Sequence, residues 1–267
     1  MRNVNSYNRI VIKVGSAVLA NSNGIVNQSI LAAISEDIAW LLKNGKEVLI
    51  VSSGAIALGR KKMKLSDSLT LAESQALAAH GQIELMSAWK KHLNKFSIPI
   101  GQILLTPRDT ELKLSSKNAQ QTVSKLLEAG CLPIINENDS TATDEIRFGD
   151  NDLLAAKVAK LIGADLLIID DPHSEQDAMN LPALERAYEW YTSGPRQRLQ
   201  PGGAIVVVMT RWNMKDLTGM LLKSQKELKS DKWDIIEFPA IMPSGKPVWP
   251  EYWDCLLYTS DAADEGL

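Results

Sequence analysis

The sequence is poor in cysteine: Cys131 and Cys255 are the two in 267 residues, too few and too far apart for a disulfide framework or a metal site. Histidine is scarce as well, and His80, His92 and His173 share no metal-ligand spacing, so they read as structural or solvent-facing. No apolar run reaches the roughly 20 residues that a membrane span requires. The N-terminal stretch MRNVNSYNRIVIKVG lacks the continuous apolar core and small-residue cleavage site of a secretory signal, and the cytoplasm is the expected compartment. An excess of one charge is missing too: a formal net charge of -3 gives no global footprint for nucleic acid. The pattern G-x-x-x-x-G-K-[ST] occurs nowhere, which excludes a phosphate loop of that type. There is no internal repeat.

What is present is the composition of an ordinary globular protein, with 45% hydrophobic and 23% charged residues, enough for one large core or two smaller ones. Short apolar runs alternate with longer amphipathic stretches as far as Ile169. The runs IVIKV (10–14), EVLIV (47–51), IPIGQILL (98–105), LPIIN (132–136) and DLLII (165–169) read as strands, several of them apolar throughout as strands covered on both faces should be. Helices are expected at QSILAAISEDIAWLLKNG, with Ile30, Ile34, Ile38, Leu41 and Leu42 on one face and a stop at Gly45, and at ESQALAAHGQIELMSAWKKHL, KNAQQTVSKLLEAG and NDLLAAKVAKLIG. This alternation predicts an α/β fold, a three-layer αβα sandwich around a mainly parallel sheet. Beyond Asp171 the texture becomes polar and irregular around a helical middle, and five of the seven tryptophans follow, so a boundary is expected there. AIVVVMT (204–210) and DIIEFPAI (234–241) then read as strands flanking a helix at KDLTGMLLKSQKEL.

Three polar clusters fall at strand ends. Lys13 sits in the first strand just before Gly15 and Ser16; it is either an edge lysine whose ammonium snorkels into water or a cation aimed at phosphates that Gly15 lets close to the backbone. SSGAIALG (52–59) follows the second strand and opens a helix, so the amides around Ser53 and Gly54 suit an anion, or Ser53 is a simple cap. LPIIN runs into Asn136, Glu137, Asn138 and Asp139, and Gly149 precedes Asp150, Asn151 and Asp152 at a helix start, where acidic groups also gain from the helix dipole. Three such clusters converging favour a binding site.

The motifs KVGSAVL, VSSGAIALG, AAHGQ, GQILLT, LPIINENDS and FGDND, in that order, resemble the glutamate-phosphorylating members of the amino acid kinase family over residues 8 to about 169. The resemblance implies transfer of the ATP γ-phosphoryl group to the side-chain carboxylate of L-glutamate in proline synthesis, with Mg²⁺, in a homo-oligomer with no membrane role. By position it implies glutamate binding by Ser53, Gly54, Asp139 and Asn151, contact of Lys13, Gly15 and Ser16 with the nucleotide phosphates, and orientation of the catalytic lysines by Asp152. It assigns no protein metal ligand. The family's nucleotide half should continue with a Thr-Asp loop and a glycine-rich segment supplying a second lysine. Here the strand runs into IDDPHSEQDA, and the later Gly202-Gly203 pair precedes a strand and MTRW, so the kinase is expected to be truncated and inactive, followed by an α/β fragment.

Residues 165–254 carry a resemblance of their own. LLIIDDPHSEQDA, YEWYTSGPRQRLQPGGAIVVVMTRWNMKDLTGMLL and WDIIEFPAI with PVWPEYW resemble the large terminase subunits of tailed bacteriophages, DNA-packaging ATPases. That implies metal-assisted hydrolysis at Asp170 and Asp171, coupling through Thr210 and Arg211, and DNA as partner under this alternative alone; without it the two aspartates read as a loop-capping pair. The stretch CLLYTSDAADEGL (255–267) resembles translated adapter read-through. The expected organisation is a kinase part at 1–169, a terminase-like part at 170–254 and a non-native tail, joined as a chimera; a genuine fusion that binds glutamate without catalysis is the third reading.

Overall fold

The computed structural model describes residues 6–21, 24–60, 63, 69–141, 150–172, 179–198, 202–211, 213–228 and 231–239. Gly149, His173, Trp212 and everything from Ala240 onward, including Cys255 and the tail, lie outside the described residues. Among those described, strands and helices alternate in the order β1 (Arg9–Val14), α1 (Ser16–Leu19), α2 (Gln28–Lys43), β2 (Glu47–Ser52), α3 (Ala55–Arg60), α4 (Leu71–Leu93), β3 (Ile100–Leu105), α5 (Pro107–Glu111), α6 (Lys113–Glu128), β4 (Leu132–Glu137), α7 (Asp150–Ile162), β5 (Leu166–Asp170), α8 (Leu181–Ser193), α9 (Pro195–Arg198), β6 (Ala204–Val208) and α10 (Leu217–Leu228).

The six strands form one sheet in the order β3-β4-β2-β1-β5-β6, and every pair is parallel. The reason is visible in β2. Val48 and Ile50 point into a core shared with Leu31 and Ile38 of α2 and Leu85, Trp89 and Leu93 of α4, while Leu49 and Val51 point into a second core with Val123 of α6 and Leu154, Val158 and Ile162 of α7. A strand buried on both faces must be apolar throughout, and helices on both faces require crossover connections that make the strands parallel. The expected αβα sandwich is therefore present.

Local signals set the helix ends. Asn27 accepts from the Ile30 amide to start α2, and Gly45 takes φ +74 just past its end. A reciprocal pair between Thr70 and Glu73 starts α4. The buried face of α2 differs from the expected one: Ile30 is exposed, whereas Leu31 and Ser35 are buried, the Ser35 hydroxyl donating to the Leu31 carbonyl at 2.7 Å. Serine buries without penalty there because that backbone acceptor satisfies it. Burial pushes the free Cys131 thiol pKa up.

The chain divides into two compact units, Arg2–Lys223 and Ser224–Leu267 with Met1. Within the first, β6 pairs with β5 from Leu166↔Ala204 to Asp170↔Val208, so the edge of β5 is covered. The strand expected at 234–241 is not formed in its described part: residues 231–239 have no regular secondary structure, and Ile235, Ile236 and Phe238 are exposed. An apolar run becomes a strand only where a neighbour completes its hydrogen bonds.

Candidate active site

Because all strands run the same way, the carboxyl ends of β1, β2, β4 and β5 lie on one edge of the sheet, where open α/β folds place their ligands. Lys13 is the central residue there. It pairs in register with Val51 of β2 on one side and Ile169 of β5 on the other, and it is 5% exposed, which excludes the edge-strand, snorkelling alternative. Its Nζ lies 2.6 Å from Asp152 Oδ1 and donates to the Asp170 carbonyl at 3.1 Å. Asp152 is in the first turn of α7 and is itself buried. A buried lysine and a buried aspartate tolerate removal from water because they neutralise each other.

The loop after β1 is tied to the loop after β2. The Ser53 amide donates to the Val14 carbonyl at 3.1 Å, so the anion-facing donor expected at Ser53 is engaged within the protein. Gly54 has φ +104, and a Cβ there would lie 3.8 Å from Ser16 Cα, so these two loops touch through their backbones. Ser16 is exposed and Ser53 half-buried. Asn136 ends the buried face of β4, with Asp139 half-buried in the turn that follows. Asn151 follows the first residue of α7, and its Oδ1 is buried with no hydrogen-bond partner among the described residues.

Asp170 joins this group, although its terminase-like reading had set it apart. Burial raises its carboxyl pKa above the ordinary aspartate range; the Lys13 charge pulls it down, and Asp171 and Asp152 add to the rise. Asp171 takes φ +45 and its amide donates to the Val208 carbonyl at 2.7 Å, which docks the end of β5 against β6. Thr210 and Arg211 are both exposed. Arg211 is engaged locally: its Nε lies 2.8 Å from Asp216 Oδ2, and the fully buried Asp216 caps α10 by accepting from the Gly219 amide at 2.8 Å.

Two polar residues were not singled out by sequence reasoning. Gln82, inside the motif AAHGQ, accepts from Asn136 Nδ2 at 2.8 Å. Lys157, one and a half turns beyond Asp152 on α7, is buried and pairs with Glu111 Oε1 at 2.8 Å. The AAHGQ motif was a usable signal for the first; nothing in the apolar stretch LLAAKVAKLI marks Lys157 apart from its charge.

Gly15 lies beside the Lys13 ammonium. An added Cβ on Gly15 would stand 3.6 Å from Lys13 Nζ and 3.5 Å from the Asp170 carbonyl, so the glycine leaves bare backbone next to the ammonium. No group of three or more His, Cys, Asp or Glu side chains among the described residues is placed to hold a metal ion. Magnesium is commonly held by nucleotide phosphates with few protein ligands, and the donor set among the described residues is compatible with such a nucleotide-borne ion.

A parallel αβα sandwich with a buried lysine at the carboxyl edge of its central strand defines an α/β protein of the class that places its ligands at that edge. The family model of the amino acid kinase family matches residues 8–207, and the chain belongs to that family. Among curated relatives, the glutamate 5-kinase of Agrobacterium fabrum is 44% identical over 265 residues, covering 91% of this chain and 67% of the relative. The glutamate 5-kinase of Rhizobium etli is 54% identical over 210 residues, covering 74% of this chain and 54% of the relative. That of Nitrobacter hamburgensis is 49% identical over 191 residues, covering 67% and 50%. The chain thus spans between half and two thirds of the length of these relatives. A solved UMP kinase from Bacillus anthracis is similar over 62% of this chain and 65% of its own, with 17% identity and a TM-score of 0.43; the parallel sheet and its strand order, not this likeness, define the fold. No helix among the described residues is long and apolar enough to cross a membrane.

Proposed function

We propose that this chain carries the acceptor-binding and phosphate-binding half of an ATP-dependent kinase acting on the side-chain carboxylate of L-glutamate. The single observation that carries the reading is the Lys13–Asp152 pair at 2.6 Å, buried where β1, β5 and the start of α7 meet and adjoining the Ser53–Gly54 loop through Val14. A carboxylate nucleophile is already ionised at neutral pH, so no general base is needed. The barrier is repulsion between that anion and the phosphates, and loss of alignment. MgATP, when bound, supplies the phosphoryl group and part of the charge neutralisation.

The protein's own residues take the remaining roles. Lys13 stabilises charge on the phosphates, and Asp152 holds the lysine chain in place electrostatically without moving a proton. Gly15 and Ser16 border the phosphates. The Ser53 hydroxyl, the Gly54 amide and Asn151 Nδ2 hold the substrate carboxylates as uncharged donors, and Asp139 takes the substrate ammonium. Asn151 Oδ1, buried with no hydrogen-bond partner among the described residues, is an acceptor and can take a substrate N–H, while a carboxylate would be met by Nδ2. By family, the assembly is a homo-oligomer in the cytoplasm.

For residues 170–207 the kinase reading is favoured over the terminase-like one by the in-register β5–β6 pairing and by the family match through Val207. Asp170 and Asp171 then belong to the nucleotide side of the same centre.

Saturable binding of L-glutamate to the full 267-residue chain, abolished in Asp139→Ala, is the expected result of equilibrium dialysis. Absence of saturable binding overturns the proposal. Glutamate is not expected to raise ADP release, because no glycine-rich segment followed by a lysine is present after β5; robust glutamate-dependent turnover would overturn that part.

A further inference from the structure

We infer that Gln82 is a positioning residue of the glutamate site, holding the Asn136 side chain through its amide; the inference rests on the proposed glutamate reading. Asn136 is 2% exposed, at the carboxyl end of β4 and three residues before Asp139. Its Nδ2 donates to Gln82 Oε1 at 2.8 Å, while Asn136 Oδ1 and Gln82 Nε2 are both buried with no hydrogen-bond partner among the described residues. One bond is therefore the whole polar restraint that those residues place on either amide. A buried amide left half-satisfied is costly, and such groups persist in functional sites where a ligand or water completes them.

The backbone around Gln82 fixes where that restraint is applied. An added Cβ on the preceding Gly81 would fall 1.7 Å from the Ala55 carbonyl and 2.6 Å from the Gly59 amide, so α4 lies directly on the backbone of α3 and cannot slide along it. Helix α3 starts one residue after Gly54. The Gly81–Gln82 step thus touches both walls of the proposed site at once: Gly81 abuts the helix that follows Ser53 and Gly54, and Gln82 grips the strand end that leads to Asp139. On this arrangement Gln82 sets the distance between the two walls through Asn136, without touching substrate itself.

Glutamate affinity separates positioning from bulk stability in a double-mutant cycle of the full chain, read by equilibrium dialysis with radiolabelled L-glutamate. Gln82→Leu is expected to weaken binding about five- to tenfold, the size of one lost hydrogen bond, and the Gln82→Leu/Asn136→Ala double variant to bind no worse than Asn136→Ala alone. MgATP affinity of each variant is the second readout and should stay within about twofold, because Lys13 and Asp152 are untouched. Unchanged glutamate binding in Gln82→Leu, or additive losses in the double variant, overturns the inference while leaving the glutamate reading intact. A fall in MgATP affinity matching the fall for glutamate also overturns it, since that marks general unfolding. Failure of the unaltered chain to bind glutamate overturns both together.

Discussion

Lys13 Nζ and Asp152 Oδ1 stand 2.6 Å apart with both side chains at most 10% exposed, tying the central strand of the sheet to the first turn of α7. Removing Lys13 takes the paired cation away from a carboxylate held in a low-dielectric interior. Lys13→Met is therefore expected to destabilise the chain by about 3 kcal/mol in urea unfolding, and Lys13→Met/Asp152→Leu to recover more than half of that loss. Equal losses in the two variants would show that the ion pair is not what Asp152 depends on.

The contact between α3 and α4 makes a steric prediction. Gly81→Ala places a methyl 1.7 Å from the Ala55 carbonyl and should cost about 3 kcal/mol or more. Gly45→Ala is the control: it has φ +74 but nothing within 4 Å, so backbone strain alone should cost about 1 kcal/mol. Urea unfolding of the two variants checks the order; equal costs would refute close packing as the cause.

His92 predicts an acid-side loss of stability. It is 3% exposed, and its Nε2 lies 2.9 Å from Gln28 Oε1. Burial lowers its pKa below 6.5, and the nearby Lys95 and Lys91 lower it further. The folded state thus holds His92 neutral while the unfolded chain takes up a proton near pH 6.5, so its contribution is present above that pH and is lost as pH falls through the lower folded value. Melting temperatures from pH 7.5 to 5 should fall more steeply in the unaltered chain than in His92→Gln, and parallel curves would count against this account.

Asp170 has the opposite sign. Burial raises its folded pKa above 3.8, so holding it ionised costs stability; the folded state is favoured below 3.8, and that advantage is lost as pH rises through the folded value. Asp170→Asn should raise the melting temperature at pH 7 by on the order of 2 °C, with the gain shrinking toward pH 4. A lowered melting temperature at pH 7 would mean that attraction to Lys13 outweighs the desolvation.

Much of the fold is legible in the residues themselves. Runs such as EVLIV and LPIIN are apolar at every position, and only a strand covered on both faces needs that, so the parallel αβα class follows from composition and length. The polar clusters at Lys13–Ser16, Ser53–Gly54 and Asn136–Asp139 are legible as strand-end groups for the same reason. Local pattern misleads where burial depends on a neighbour. Ser35 is buried and Ile30 exposed on α2, and the apolar run at 234–238 forms no strand in its described residues.

The sequence alone determined β1 to β6, the long helices α2, α4, α6 and α7, and the residue types at each strand end, because these depend on periodicities of a few residues. Tertiary structure decided the strand order β3-β4-β2-β1-β5-β6, and with it which strand ends are neighbours. It put Lys13 between β2 and β5 and against Asp152, brought Asp170 to the same lysine, and set Gln82 of α4 on Asn136 of β4. Those contacts join residues far apart in the chain, and they arise only when burial of both sheet faces fixes how the crossovers return.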